Sequence, residues 1–345
     1  MNLLTMWPSI NPVKLLRYLC VWRVNSSLVR LPRCFSMELS QVLGKIISNR
    51  LPTNEAQQWR KALTQKDQFQ NIKHALSFSK QRVVSPELTW PIDAVLFVYP
   101  GKVTYGYGEP IFWELKLMGK SADHDLFMEL ILPAMEEAGF SSGNPWNYRN
   151  SIWGQFDIDS IYVANGRHWE SLVKDGRLNL HYTPTSSQWA NDLIDSGSIE
   201  KIYNRISWIT PFDFRGIFSS NSDICIANDD ERTTLDATPS LYGILGSLIL
   251  RLNMLLRIRR KGHVNVWDIL TPNEQSLFQS EMEHAAQIPL RRKELVPVAS
   301  TCPGRWIGVQ IFSYLPQTII PYLELASILH VGKQTHCGCG TFFLS

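Results

Sequence analysis

Two segments of this chain carry a sharp helical period, and each sits among strand-like runs in much the same order. The stronger one spans 241–260. Leu241, Ile244, Leu245, Leu248, Ile249, Leu252, Leu255 and Leu256 recur at helical spacing and form one apolar stripe. A strand reading over 202–214 precedes it, with Gly216 just beyond its end. A further helix is predicted over 271–286, with Pro272 in its first turn. Strands over 290–299 and 306–314 follow, separated by Pro303-Gly304. A helix over 318–329, a glycine-rich loop and a short strand over 340–344 complete the series.

The first half reads alike. Residues 13–31 partly alternate as a strand and stop at Leu31-Pro32. A helix begins near Met37 with Ser36 as its expected N-cap. Leu39, Val42, Leu43, Ile46 and Ile47 give it one apolar face. Residues 51–89 are polar and read as helix or loop. Strands are expected over 94–98 and 111–118, joined by the Gly- and Pro-containing turn 100–110. A helix over 123–138 should kink at Pro133 and end at Gly139. A strand over 152–163 closes the unit. The order is β-α-β-β-α-β, which defines a ferredoxin-like (RRM-like) domain. The expected fold is therefore α+β, with two such domains in tandem: an N-terminal domain over 13–165, a linker over 166–199 and a C-terminal domain over 200–345. The 44% hydrophobic and 19% charged composition supports packed cores.

Charge is more informative in its distribution than in its sum of +3. Residues 1–37 carry Lys14, Arg17, Arg23, Arg30 and Arg33 before the first acid, Glu38. Residues 251–262 carry Arg251, Arg257, Arg259, Arg260 and Lys261 and no acid. Such clusters point to a focused anionic ligand, or to solvated faces. The six cysteines are scattered, which fits reduced thiols in a cytoplasm. Cys337-x-Cys339 lacks a second close pair, so no metal site is expected there. No apolar run reaches membrane-spanning length, and 1–12 makes a poor signal peptide.

The loop Gly332-Lys333-Gln334-Thr335-His336-Cys337-Gly338-Cys339-Gly340 is the sharpest local motif. Glycines permit positive φ and close backbone approach, and successive N–H groups beside a lysine can cradle phosphate. The same glycines equally suit a tight connection. The loop follows a helix, so it is no dinucleotide fingerprint, and it lacks the P-loop ending. Arginines at the end of the 241–260 helix complement its dipole, which accounts poorly for Arg251. Arg291-Arg292-Lys293 opens a predicted strand and must point to both faces, leaving at least one residue for phosphate contact.

In combination, these pieces resemble the CRISPR-associated repeat-RNA endoribonucleases of the RAMP superfamily. Ile206-Ser207-Trp208-Ile209-Thr210-Pro211-Phe212-Asp213-Phe214 is similar to that family's first strand of the second domain. Residues 248–260 resemble its Arg-bearing helix, Arg291-Arg292-Lys293 its basic strand, and Gly304-Arg305-Trp306-Ile307-Gly308 the strand after it. Pro321-Tyr322-Leu323, His330-Val331-Gly332-Lys333 and Gly338-Cys339-Gly340 look like its terminal helix and glycine loop. In the first half, Gly108-Glu109-Pro110 and the run 112–119 are similar to its middle strand.

The resemblance implies cleavage of CRISPR precursor RNA at repeat hairpins without metal or other cofactor. The 2′-hydroxyl attacks its own phosphate and leaves a 2′,3′-cyclic end, and the product is retained. It implies CRISPR repeat RNA as partner, other effector subunits besides, and no membrane. The histidine such enzymes often use as base is absent: none occurs before His74. The site expectation therefore falls on Arg23 and Arg33 as catalytic cations, since guanidinium is a poor base and a good phosphorane clamp. The RNA-binding set is Arg251, Arg257, Arg260, Arg291, Arg292, Lys293, Gly332, Lys333, Gln334, Thr335, His336, Gly338 and Gly340, with His330 beside it. Two other readings stay open: an RNA-binding RAMP subunit that does not cleave, and an unrelated ferredoxin-like regulatory module.

Overall fold

A computed structural model describes residues 13–63, 89–140, 151–191, 202–215, 239–256 and 270–345. The chain divides into two compact units. The N-terminal unit is Lys14–Asn191 together with His336–Gly338, and the C-terminal unit holds Asp192–Thr335 and Cys339–Ser345 with Met1–Val13.

In the N-terminal unit the main elements are β1 (Leu15–Val24), β2 (Leu28–Arg30), α1 (Phe35–Arg50), β3 (Ala94–Val98), β4 (Thr104–Gly106), β5 (Pro110–Met118), a helix α2, β6 (Phe156–Asn165), β7 (His168–Lys174) and β8 (Arg177–Leu178). One antiparallel sheet runs β3-β5-β1-β6-β7-β8. Its first four strands have the ferredoxin-like arrangement, and β7 and β8 extend it. Alternate residues of β1, namely Tyr18, Cys20, Trp22 and Val24, face the core. Trp22 stacks on Phe156 at 3.8 Å and meets Trp113 edge-on at 5.2 Å. All five apolar residues expected on the α1 face are buried. Each such burial is worth about 1.5–3 kcal/mol.

Local expectations shift where packing overrides propensity. α1 starts at Phe35, its N-cap is Cys34 rather than Ser36, and no side chain caps it. Phe35 packs against Trp22 and Trp153, at 6.3 and 5.9 Å, which draws it into the first turn. α2 comprises His124–Leu126, a π-turn at Phe127–Ile131 and Leu132–Phe140. The proline ring at Pro133 crowds the carbonyl four residues back, and the widened turn falls there. Gly139 lies inside the helix rather than ending it. A Cβ at that position would sit 2.6 Å from the Phe156 carbonyl, so the glycine serves close packing of α2 on β6.

The stretch 166–199 reads as a linker in the sequence. Within it, β7 and β8 pair onto the sheet, Leu172 and Val173 are buried, and Gln188 donates to the Ala164 carbonyl and the Tyr182 hydroxyl. Residues through Asn191 belong to the N-terminal unit. A second addition is the ribbon of β2 and β4: the single strand read over 13–31 breaks after Val24, and β4 lies inside what reads as a plain turn.

The C-terminal unit contains β9 (Tyr203–Phe212), α3 (Leu241–Leu255), α4 (Pro272–Gln287), β10 (Leu290–Pro297), β11 (Trp306–Leu315), α5 (Ile320–Leu329) and β12 (Phe342–Leu344). Its antiparallel sheet runs β10-β11-β9-β12, the same order as the first four strands above. The fold is thus α+β with two ferredoxin-like units, and α4 is the extra helix of the second. The Ser240 hydroxyl caps α3 by accepting from Gly243 N–H at 3.1 Å. Thr271 and Glu274 form a reciprocal capping box on α4. The α3 stripe from Leu241 to Leu255 is buried. Gln310 is buried in the core yet satisfied: it accepts from the Trp208 indole at 2.7 Å and donates to the Pro239 carbonyl at 2.9 Å.

Among the described residues, Cys20, Cys337 and Cys339 are buried free thiols. Among the described residues, no helix is long and apolar enough to cross a membrane.

Candidate nucleic-acid interface

The glycine loop leaves α5 through His330, at φ 61°, and folds back on its own unit. Gly332 N–H donates to the Ser247 hydroxyl, Lys333 N–H to the Asp213 carbonyl and Gly340 N–H to the Pro211 carbonyl, each at 2.9 Å. Val331 N–H donates to the Gly340 carbonyl at 3.0 Å. The glycines answer to this packing. Gly332, at φ 94°, leaves a Cβ only 2.9 Å from the Asp213 carbonyl, and Gly340 leaves one 1.7 Å from the Val331 carbonyl. These amides are spent inside the fold, so a phosphate at the loop would be held by side chains. Lys333, Gln334 and Thr335 are half-buried there. The Gln334 side chain already accepts from Gly304 N–H.

Asp213 anchors this corner. Burial raises the pKa of its carboxyl, but hydrogen bonds and charge from Arg215 outweigh that and hold it below the ordinary carboxylate range. The guanidinium makes contacts of 2.6–3.2 Å to both oxygens. The Asp213 main-chain carbonyl, meanwhile, seats Lys333.

His336 and Gly338, both expected at RNA, are core residues of the N-terminal unit. His336 Nδ1 lies 2.8 Å from the Ala94 carbonyl, which fixes the proton on that nitrogen. Nε2 then accepts from the Ser40 hydroxyl at 2.7 Å. The Trp90 ring flanks the imidazole at 5.3 Å. A Cβ on Gly338 would stand 2.7 Å from the Leu96 carbonyl. His330 is fully buried as well, with Nδ1 3.0 Å from the Cys339 carbonyl. His336→Ala should therefore lower stability by about 2–3 kcal/mol, as two buried partners lose a hydrogen bond. The shift in urea midpoint checks this, and an unchanged midpoint would remove the structural role.

The basic strand is more accessible. β10 is an edge strand, and Arg291, Arg292 and Lys293 are all exposed. The pairing with β11 slips between Leu290 and Arg292, leaving Arg291 without a register partner. Such a bulge turns side chains outward. Arg292 pairs with Glu294 at 2.7 Å on the solvent side. Arg251 is held within its unit: its Nε donates to the Leu329 carbonyl at 3.1 Å, capping the C-terminal end of α5 just before the loop. Arg257 and Arg260 lie outside the described residues, as do Arg259 and His74.

In the N-terminal unit, Arg23 and Arg33 differ in freedom. Arg23 bonds the Asp159 carboxylate and the Gly108 carbonyl, at 2.8 and 2.9 Å. Asp159 lies 136 residues away, so no local pattern announces it. Arg33 is exposed just before α1 and, among the described residues, makes no ion pair or side-chain hydrogen bond. Arg17, another member of the basic cluster, is committed elsewhere: it pairs with buried Glu114 at 2.6 Å and lies 5.3 Å over the Trp169 ring.

No protein-family model matches the chain, and no curated protein matches it. Solved structures similar to it include a partial Cas6-RT-Cas1–Cas2 complex, with a TM-score of 0.49 at 11% identity over 99% of this chain and 47% of that one. Thermus thermophilus Cas6 gives 0.44 at 12% identity over 96% and 99% of the two chains. A RAMP protein described as binding different RNA substrates gives 0.37 at 12% over 96% and 99%. The chain spans less than half of the two Cas6-RT-Cas1 proteins it resembles, 47% and 29% of their lengths.

Proposed function

We propose that this chain binds CRISPR repeat RNA and cleaves the precursor at the base of a repeat hairpin, retaining the product. The observation that carries the reading is structural: two ferredoxin-like units stand in tandem, and the edge strand of the second displays Arg291, Arg292 and Lys293 to solvent. Extended basic surface of this kind favours phosphate backbones, with affinity that falls steeply as salt rises.

The reaction needs no cofactor. The 2′-hydroxyl gives up its proton and attacks the adjacent phosphorus. The bond to the 5′-oxygen breaks, that oxygen takes a proton, and a 2′,3′-cyclic phosphate remains. A cation at the phosphorane lowers the barrier most when it is pre-positioned and not already neutralised. Arg33 meets the second condition. Arg23 shares its guanidinium with Asp159 and Gly108 and is placed to orient the strand more than to stabilise charge.

A labelled repeat hairpin incubated with the protein in EDTA should yield a product ending in a cyclic phosphate. Tight, salt-sensitive binding with no cleavage would instead leave the non-cleaving subunit, a reading favoured by Arg23's commitment to Asp159. Failure to bind at low salt would exclude both.

A further inference from the structure

The β2–β4 ribbon has one face turned into the unit and one turned out. Val29 and Tyr105 are directly opposite each other and buried. The pairs on either side, Leu28 with Gly106 and Arg30 with Thr104, therefore project outward. Gly106 has no side chain to cover Leu28, which stays 46% exposed, and neighbouring Val103 is 50% exposed. Tyr107 follows directly and is 77% exposed, an unusual state for so large a ring.

The ribbon is also firmly placed. Leu31 N–H donates to the Val103 carbonyl at 2.8 Å, and Gly108 N–H to the Val24 carbonyl at 2.8 Å. Glu109 accepts from Gly106 N–H at 2.8 Å and pairs with Lys102. Lys102 is neutralised in that way, and Arg23 by Asp159. Arg30 is not: among the described residues its side chain has no acid or hydrogen-bond partner. The outer face thus offers an uncompensated guanidinium and an aliphatic side chain, and the turn directly after β4 carries an open aromatic ring.

From this we infer that the β2–β4 ribbon is a second RNA contact, one that takes unpaired nucleotides flanking the hairpin. A stacked duplex hides its base faces, whereas an unpaired base can lie on an exposed ring with a guanidinium at its phosphate. An uncompensated cation selects an anionic strand over a neutral protein surface. The inference rests on the RNA-binding reading above.

Fluorescence anisotropy of the full chain tests it with two labelled RNAs: a repeat hairpin with a single-stranded flank, and the same hairpin cut blunt. Tyr107→Ala and Arg30→Ala should each weaken binding of the flanked RNA about tenfold and leave the blunt hairpin within about twofold. Tyr107→Phe should bind like wild type, since the ring is kept. Equal losses on both RNAs, or unchanged affinity of the alanine variants for flanked RNA, would overturn the single-strand assignment while the wild type still binds the hairpin. The latter result would leave the ribbon free for an acidic protein partner. If the wild type bound neither RNA at low salt, the RNA-binding reading itself would fail, and this inference with it.

Discussion

Gly340→Ala is expected to unfold the C-terminal unit rather than merely weaken a ligand site. The added Cβ would lie 1.7 Å from the Val331 carbonyl oxygen, 2.8 Å from its carbon and 2.9 Å from its nitrogen. All three are backbone atoms of a strand-like exchange in which Val331 N–H donates to Gly340 and Gly340 N–H donates to Pro211. Neither partner can rotate away, and the residue also holds φ at +84°. The cost should exceed about 4 kcal/mol, against a typical domain stability of about 5–15 kcal/mol. Gly108→Ala is the matched control: it also has positive φ, at +77°, but nothing lies within 4 Å of its Cβ position. It should cost only about 1–2 kcal/mol, the left-handed penalty alone. Urea unfolding of the two variants separates clash from strain. A folded Gly340→Ala protein with a normal midpoint and lost RNA affinity would return the glycine to a ligand role.

That contrast marks where the sequence was legible. The helical stripes of Leu39 to Ile47 and Leu241 to Leu255 are buried as their spacing requires, because a single wet face and a single dry face leave few alternatives. The strand order followed from counting elements between them. The capping box at Thr271 and Glu274 is local chemistry and sits where Pro272 predicts a helix start. Two hairpin turns within 166–199 are local chemistry as well. Gly166-Arg167, with Gly166 at φ 57°, joins β6 to β7, and Asp175-Gly176, with φ of 49° and 69°, joins β7 to β8. Two-residue turns bearing glycine are strong hairpin signals, but the apolar alternation that flanks them here is short.

The site was less legible, for a physical reason. A glycine required by a backbone 3 Å away and a glycine required by a phosphate have the same sequence signature. Only the contacts of Gly332, Gly338 and Gly340 distinguish them, and those contacts are to Asp213, Leu96 and Val331. His336 suffers the same ambiguity, since its partners Ser40 and Ala94 lie hundreds of residues away in sequence. Arginines divide likewise: Arg17 and Arg23 meet carboxylates from distant strands, and Arg251 meets the end of a different helix. Charge clusters in sequence therefore overstate the cations available to a ligand: Arg292 is paired with Glu294, whereas Arg33 and Arg291 stand exposed.

Arg33→Ala should lower single-turnover cleavage of a repeat hairpin by about a hundredfold or more while leaving RNA affinity within about threefold. Its guanidinium faces solvent and is tied to no described acid, so removing it leaves no buried charge behind and should not disturb folding. Any loss is then functional. Arg23→Ala gives the opposite balance. It deletes an exposed pair with Asp159, worth at most about 1 kcal/mol of stability, and frees a carboxylate beside the strand. Repulsion of phosphate by that carboxylate should weaken binding more than it slows the chemical step, and the double variant Arg23→Ala with Asp159→Asn should recover much of the affinity. The carboxylate is what would repel RNA, so its neutralisation is a direct test. Equal losses of rate and affinity for Arg33→Ala would make that residue a binding contact only, and cleavage at the wild-type rate by both single variants would place the catalytic cation elsewhere.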